Sequence, residues 1–246
     1  MKQMTNYKPV SGDSTGITVS SEHATFSKAN LKELYPSLCW KSTVITENII
    51  QYDLGGSMTH NALFLNRFNF AEFYVETWNG SAWVVQEHVQ NQTTDELHDE
   101  DYMHYLVDVT GTYQLIRVRI PAQTPLFEQT YFKIGNMLVG DMVQIWSPKS
   151  GFAVKEDPSR IFTKFKSGFT SSKKIGKTKR IFTASFDKFS KIEYNKIVKT
   201  YEPFVIYQEF ENDKTQVYLV QKVTGYNKNY HMATTVNMPF NFEEIV

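Results

Sequence analysis

Period-two alternation of apolar and polar residues dominates the first part of this chain. The segment 48–56 places Ile50, Tyr52 and Leu54 on one face of a strand and polar residues on the other. The segment 112–120 repeats the pattern, with apolar residues at every second position, so Arg117 and Arg119 should point away from the core. Strands of this kind have one buried and one solvated face. The alternation therefore predicts an antiparallel β-sandwich.

A second local signal lies between two aromatic strand ends. Residues 73–78 and 81–85 are rich in aromatic and β-branched side chains, and Asn79-Gly80 separates them. Asn-Gly between two such runs predicts a two-residue hairpin turn. We therefore expect Trp78 and Trp83 to lie beside each other next to the turn.

The aromatic pair has two interpretations. Exposed aromatic rings bind the CH faces of sugars, so Trp78 and Trp83 are the candidate glycan-stacking residues. Hairpins also need cross-strand aromatic pairs for their own stability, irrespective of any ligand. The sequence leaves both interpretations open.

Composition limits the classes of partner. The chain has 246 residues, 15% of them aromatic and 21% charged, which favours packed β-structure over a disordered chain. The formal net charge is zero, so no overall field attracts nucleic acid or a membrane surface. No long apolar run or apolar signal-peptide core is present. We expect no nucleic-acid partner, no membrane partner, and synthesis in the cytoplasm.

Motifs that carry chemistry are missing from the sequence. Cys39 is the single cysteine, so no intramolecular disulfide can form, and its apolar neighbours predict a buried thiol. The histidines lack HExxH or Cys/His spacing, and no nucleophile elbow, P-loop or dinucleotide fingerprint occurs. We expect no catalytic residue, no metal and no cofactor, although the two carboxylates of a glycoside hydrolase would leave no motif.

The first 147 residues divide into an arm and a sandwich. Residues 1–22 are polar and lack periodicity, which predicts an extended N-terminal arm. Residues 23–147 hold the strand patterns and predict the sandwich, with Trp40 in its core. A short helical turn at 27–35, after a Ser N-cap, precedes that tryptophan.

The remaining residues, 148–246, predict a small α+β module. Its one helix lies near 190–202, where Ser-Lys-Ile-Glu forms a capping box before helically spaced apolar residues. A stretch rich in Ser, Pro, Lys and Gly at 147–152 marks the boundary between the modules. We therefore expect the sandwich to fold alone.

Five motifs, in their order and spacing, resemble one known fold. They are Trp40-Lys41-Ser42, Ile50–Gly55, Asn61–Asn69, Leu115–Ile120 and Ile134–Gly140. Together they resemble the galactose-binding-like, or discoidin-type, sandwich, and more narrowly its form in tail structural proteins of bacteriophages and prophages. The resemblance implies a jelly-roll β-sandwich.

The same resemblance implies a function without catalysis. It implies a structural component of a phage tail or baseplate, located in the virion, whose partners are other tail proteins and copies of itself in a ring. The alternative that the fold implies is a carbohydrate-binding module for cell-surface attachment, with a glycan as its partner.

Two oppositely charged stretches fit the assembly hypothesis. Residues 87–101 are acidic and residues 155–199 are basic, so subunits could associate head to tail. The candidate interface is Lys173, Lys174, Lys177, Lys179 and Arg180. The alternative for the acidic stretch and for the lysine cluster is a solvated loop, and the alternative for the wider basic stretch is a set of strands with phenylalanines inward and lysines outward. The acidic residues also offer oxygen ligands of the kind calcium takes, and basic residues among phenylalanines are a feature of nucleic-acid surfaces.

Overall fold

The computed structural model describes residues 2–8, 16–32, 38–92, 103–144, 152–157, 160–164, 170–174, 179–190, 204–207, 214, 217–222, 229–232 and 235–244. The strands are β1 (Lys2–Lys8), β2 (Ile17–Val19), β3 (Trp40–Lys41), β4 (Asn48–Met58), β5 (Ala62–Phe68), β6 (Phe73–Trp78), β7 (Trp83–Val89), β8 (Met103–Asp108), β9 (Tyr113–Ile120), β10 (Lys133–Ile134), β11 (Asn136–Gln144), β12 (Phe152–Asp157), β13 (Arg160–Lys164), β14 (Thr170–Lys174), β15 (Lys179–Ser190), β16 (Phe204–Tyr207), β17 (Val217–Lys222), β18 (Asn229–Met232) and β19 (Thr235–Glu244). A 3₁₀ helix spans Lys28–Lys32, inside the predicted helical turn. Within these ranges, no helix is long and apolar enough to cross a membrane.

The strands form two large antiparallel sheets. The five-stranded sheet has the order β2-β4-β9-β6-β7. The ten-stranded sheet has the order β12-β15-β19-β17-β16-β1-β11-β5-β8, with β18 paired to β19. Two small sheets, β10-β3 and β13-β14, complete the described strands. The predicted fold class, a mainly β chain built on an antiparallel sandwich, is confirmed.

The main core lies between the five-stranded sheet and strands β5, β8 and β11. Alternation on β9 turns Ile116 and Val118 inward, as the sequence predicts. The Tyr52 hydroxyl donates to the carbonyl of Met137 at 2.7 Å and so links the two sheets. Trp40 is fully buried in this core. Its predicted placement is confirmed.

A second core lies on the opposite side of β5, which is buried along its whole length. Leu63 and Leu65 face the main core, whereas Phe64 packs in a cluster with Val205 and Leu219 from the C-terminal strands. A strand buried on both faces reads as a continuous apolar run, which is the pattern of β5.

The ten-stranded sheet curls so that β17 comes back towards β8. The backbone N–H of Leu106 donates to the carbonyl of Lys214 at 3.0 Å. The Lys214 ammonium lies 2.7 Å from the Glu87 carboxylate and 3.4 Å from Asp108. These contacts join the C-terminal half of the chain to the sandwich.

The predicted N-terminal arm is wrong, because residues 1–22 contribute two strands. β1 lies inside the ten-stranded sheet, between β11 and β16, and β2 pairs with β4. Met4, in β1, is 1% exposed and belongs to the second core. One buried methionine in a polar stretch leaves no period-two signal, because the backbone ladder rather than apolar alternation holds this strand.

One sheet crosses the boundary predicted at 147–152. Gln3 pairs with Ile206, so the first strand of the chain connects the sandwich to the C-terminal strands. The structure therefore joins the two predicted modules through shared backbone pairing and a shared core. The helix predicted near 190–202 lies outside the described residues except for Ser190, which ends β15.

Candidate functional site

The five-stranded sheet has one face on the main core and one face in solvent. We call the solvent side of β6, β7 and β9 the outer face. Its side chains are Tyr74, Glu76, Trp78, Trp83, Val85, His88, Arg117 and Arg119. Strand pairing sets their neighbours, because Tyr74 lies opposite Arg119 and Glu76 lies opposite Arg117.

A buried carboxylate organises the centre of the outer face. Glu76 is only 4% exposed. One of its oxygens accepts a hydrogen bond from Arg117 Nε. The other accepts from Arg119, whose Nη2 and Nε lie at 3.1 and 3.2 Å. Two guanidinium groups therefore share one carboxylate, which fixes both planar side chains against the sheet.

Arg119 has a second acidic neighbour. Glu47 lies 3.6 Å from its Nη1. Partial burial lowers the pKa of Arg119, but the hydrogen bond and charge of Glu76, together with Glu47, raise it, and the net direction is upward. The charge of Arg119 is therefore balanced within the protein.

The two predicted tryptophans meet at the hairpin end of the outer face. Trp78 and Trp83 are cross-strand partners with ring centroids 5.5 Å apart and planes tilted by 59°. The guanidinium carbon of Arg117 lies 3.9 Å from the Trp83 ring centroid, a cation–π contact. Both rings are half-buried, so part of each remains accessible to solvent.

The turn that positions this pair is longer than predicted. Residues 79–82 separate the two tryptophans, and the N–H of Asn79 donates to the carbonyl of Ala82 at 3.1 Å. The Asn79 side-chain oxygen accepts from the N–H groups of Ser81 and Ala82, both at 2.9 Å. Gly80 has φ of +99°, a conformation that glycine adopts without strain. The side-chain cap on the loop explains why Asn-Gly opens a four-residue rather than a two-residue connection.

Aromatic and ionic contacts continue at the other end of the outer face. Tyr74 stacks on His88 with centroids 3.9 Å apart and planes tilted by 12°, and the Arg119 guanidinium lies 4.0 Å from the Tyr74 ring. His88 Nε2 lies 2.7 Å from a Glu72 oxygen. This hydrogen bond lowers the pKa of Glu72 below its usual value, against a smaller rise from burial.

Sequence reasoning found part of this site. It predicted that Trp78 and Trp83 are neighbours, and that Arg117 points away from the core. It missed Glu76 as the shared ion-pair partner, because the aromatic run of β6 gives no sign of which strand lies beside it. The signal available was the outward alternation of Glu76 and Arg117 on their separate strands.

The predicted interface cluster is divided by the structure. Lys173 and Lys174 end β14, and Lys179 begins β15. Lys177 lies outside the described residues. Arg180 is only 5% exposed, and its guanidinium carbon lies 4.7 Å from the Tyr218 ring centroid. The prediction that Arg180 belongs to an exposed basic cluster is wrong, because alternation on β15 places it on the same buried side as Phe182. For the lysines, the interface stays a prediction.

The acidic stretch is described only at its beginning. Glu87 accepts hydrogen bonds from Lys214 and from the Tyr105 hydroxyl, so it stabilises the fold. Residues 93–101 lie outside the described part, and the calcium hypothesis for them stays untested. Among the residues that the structure describes, no group of three His, Cys, Asp or Glu side chains is placed to hold a metal ion.

No protein-family model and no curated protein matches the sequence. Half of the chain is similar to solved carbohydrate-binding modules. Chitosan-binding module 1 of a chitosanase/glucanase from Paenibacillus sp. IK-5 is 17% identical, with 50% of this chain and 92% of that chain covered and a TM-score of 0.40. The family 32 module of NanJ from Clostridium perfringens, in complex with galactose, is 10% identical, with 50% and 90% covered and a TM-score of 0.41.

A further CBM32 module, from a family 31 glycoside hydrolase of Clostridium perfringens, is 16% identical, with 52% of this chain and 93% of that chain covered and a TM-score of 0.42. These neighbours are of the galactose-binding-like sandwich type, the type that the five sequence motifs resemble. The predicted roles as a virion component and as a ring-forming oligomer stay predictions.

Proposed function

We propose that the protein is a carbohydrate-binding module whose outer face binds a glycan. The observation that carries the proposal is the pair Trp78 and Trp83, two half-buried rings in contact on a solvent-facing sheet. Sugar rings present CH groups on one face and hydroxyl groups at their edges. A site for them combines aromatic surface with fixed polar groups, and this combination occurs here.

The polar part of the proposed site is Arg117. Its guanidinium lies over the Trp83 ring, and its Nε donates a hydrogen bond to Glu76. A sugar seated on the tryptophans would therefore meet hydrogen-bond donors at its edge. Because these donors lie on strands and are fixed by the ion pair, little side-chain entropy is lost when a ligand binds.

The tilt of the rings sets the mode of contact. Planes at 59° form a shallow corner rather than one flat platform. A single sugar ring would lie on one tryptophan with its edge against the other. The cross-strand pair also stabilises the hairpin, so the structural and the binding interpretations of these residues apply together.

The proposed function includes no catalysis. Next to the tryptophan pair, Glu76 is the carboxylate on the described outer face, and both of its oxygens accept hydrogen bonds from arginine. A general acid or base needs a carboxylate that reaches the substrate. We therefore extend the expectation from the sequence, that the protein is not an enzyme, to this site.

The proposal is tested by measuring glycan binding with single tryptophan variants. A glycan array at millimolar ligand concentration identifies the glycans that the wild-type protein binds. Trp78→Ala and Trp83→Ala should each weaken that binding by about tenfold or more, since removing the apolar surface that a ring buries costs about 1.5–3 kcal/mol. Phe26→Ala, which removes a half-buried ring that contacts Lys41 elsewhere in the protein, is the matched control.

Circular dichroism of each variant separates lost binding from lost folding. The result that contradicts the proposal is an array without any bound glycan, or tryptophan variants that fold and bind as tightly as the wild type does.

A further inference from the structure

We propose that the glycan bound at the outer face is acidic, and that Arg117 binds an oxyanion carried by the sugar, a carboxylate or a sulfate. This inference rests on the glycan-binding function proposed above and specifies its ligand class. It follows from a difference between the two arginines of the outer face.

Arg117 uses only part of its hydrogen-bonding capacity inside the protein. Its Nε donates to Glu76, and its guanidinium plane lies over the Trp83 ring. Its two terminal Nη groups have no acceptor among the residues that the structure describes. The side chain is 18% exposed. Arg117 is therefore partly exposed and has donors that no described residue uses.

Arg119, on the same strand, has its side-chain nitrogens paired with carboxylates of the protein. Its Nε and Nη2 both reach Glu76, and its Nη1 faces Glu47 at 3.6 Å. Each of its three nitrogens therefore has an acidic neighbour. It lies two positions from Arg117 on the same strand, so the difference comes from the neighbours and not from the strand.

Charge counting gives the same result. Glu76 is one carboxylate shared by two guanidinium groups, so it balances at most one of their charges. Glu47 supplies the second negative charge, but next to Arg119 and on a side chain that is 56% exposed. Asp53, opposite Leu115 on the neighbouring strand β4, is a further carboxylate at this end of the sheet, and its Oδ1 accepts from Gln114 and from the N–H of Gly55. Among the described residues, Arg117 shares its ion-pair partner with Arg119, and an anionic ligand would balance the charge that Glu76 leaves uncompensated.

The geometry of Arg117 favours an oxyanion over a hydroxyl group. A guanidinium presents parallel N–H donors in a rigid plane, which match the two oxygens of a carboxylate or sulfate. Stacking on Trp83 and the bond to Glu76 fix that plane before the ligand arrives. The ring of Trp78 lies next to it, so a sugar could stack there while its acidic group reaches Arg117.

The test compares glycans that differ in charge but not in backbone. Isothermal titration calorimetry at fixed ionic strength measures binding of oligogalacturonate, oligomannuronate and oligoglucuronate, each beside its methyl ester, and of a sulfated and an unsulfated galactan. The wild-type protein should bind at least one acidic member about tenfold or more tightly than its neutral counterpart. A preference among the uronates identifies carboxylate, and a preference within the galactan pair identifies sulfate.

Variants test the assignment to Arg117. Arg117→Gln should abolish the preference for the acidic glycan. Arg117→Lys keeps the charge and the ion pair with Glu76 but lacks the planar fork, so it should retain only a small part of the preference. Lys32→Gln removes a positive charge from the 3₁₀ helix, which contacts β2 at the opposite edge of the sheet, and should leave the preference unchanged. Thermal melts confirm that each variant is folded.

The possible failures are distinct. If neutral and acidic members of each pair bind equally, or if folded Arg117 variants keep the full preference, this inference is overturned and the glycan-binding function stands. If neither neutral nor acidic glycans bind, the proposed function itself fails, and the inference falls with it.

Discussion

The two large sheets of this protein use their faces differently. The five-stranded sheet covers the main core with one face and turns the other to solvent. The ten-stranded sheet has no such free side at β5, since Leu65 faces the main core and Phe64 the second core. The outer face carries charged and aromatic groups with unused binding capacity, whereas β5 carries apolar side chains and the buried Asn66, whose amide donates to Asn136 on β11.

The side chains of β5 therefore serve stability, whereas those of the outer face serve the proposed binding. Groups buried on both sides of β5 stabilise the fold and join the N-terminal and C-terminal strands. Groups on the outer face are held by the same fold but can be exchanged with little effect on packing. Substitutions in the two sheets should therefore give different results, and the following predictions test that contrast.

The largest effect is expected from cutting the ten-stranded sheet. A fragment of residues 23–147 lacks β1, β2 and the strands of the C-terminal half. It would expose Phe64 and Leu138 and leave β11 paired with β5 alone, without β1 on its other edge. We expect no cooperative thermal unfolding of this fragment, in contrast to the whole chain, as measured by circular dichroism. A fragment that melts cooperatively would restore the module boundary that the sequence suggests.

A core substitution should come next in size. Trp40 is fully buried, and its indole N–H donates to the carbonyl of Ser21 at 3.1 Å. Trp40→Ala should lower the free energy of unfolding by about 3–5 kcal/mol, the range for a large buried aromatic. Chemical denaturation measures the change. Trp83→Ala on the outer face is the matched control and should cost clearly less, so equal losses at the two positions would contradict the contrast between the sheets.

The ion pair of the outer face should have an intermediate effect. Glu76→Gln leaves Arg117 and Arg119 without their shared carboxylate, which should cost about 1–3 kcal/mol of stability because a buried group loses its partner. Glu47→Gln removes an exposed carboxylate and should cost less than about 0.5 kcal/mol. Urea unfolding of both variants gives the comparison. Similar small losses would show that Glu76 does not organise the site.

The smallest effect concerns Glu72 and His88. The hydrogen bond from His88 lowers the Glu72 pKa, so the pair contributes stability above the unfolded pKa of Glu72, and that contribution disappears as pH falls through the lowered value. His88→Gln should move the Glu72 pKa back towards the usual value for glutamate. An NMR titration of the carboxyl carbon measures it, and an unchanged pKa would refute the assigned cause.

Local patterns in the sequence were enough to predict individual strands but not their neighbours. Alternation placed Ile116 and Arg117 on opposite faces of β9, and the aromatic hairpin placed Trp78 beside Trp83. Pairing of β9 with β6 is a long-range contact, so alternation could place Glu76 and Arg117 on the outer sides of their strands but could not show that they are partners. The placement of β1 between distant strands has the same cause, since a polar strand is held by its backbone partners rather than by its side chains.

The fold class followed from the sequence because period-two patterns are local. The site followed only in part, because its charge balance depends on Glu47, Glu76 and both arginines, which come from two strands and a loop. The tail or baseplate role rests on the motif resemblance and on no contact in the described structure, so it stays a prediction beside the proposed glycan-binding function.

The most direct test of the account is an NMR titration that follows the indole N–H signals of the tryptophans while an acidic oligosaccharide is added. The signals of Trp78 and Trp83 should shift in a saturable way, together with the guanidinium Nε signal of Arg117. The signal of buried Trp40 should stay unchanged. Saturable binding that leaves the signals of Trp78 and Trp83 in place would show that the glycan binds elsewhere, and would contradict the central claim that the outer face is the binding site.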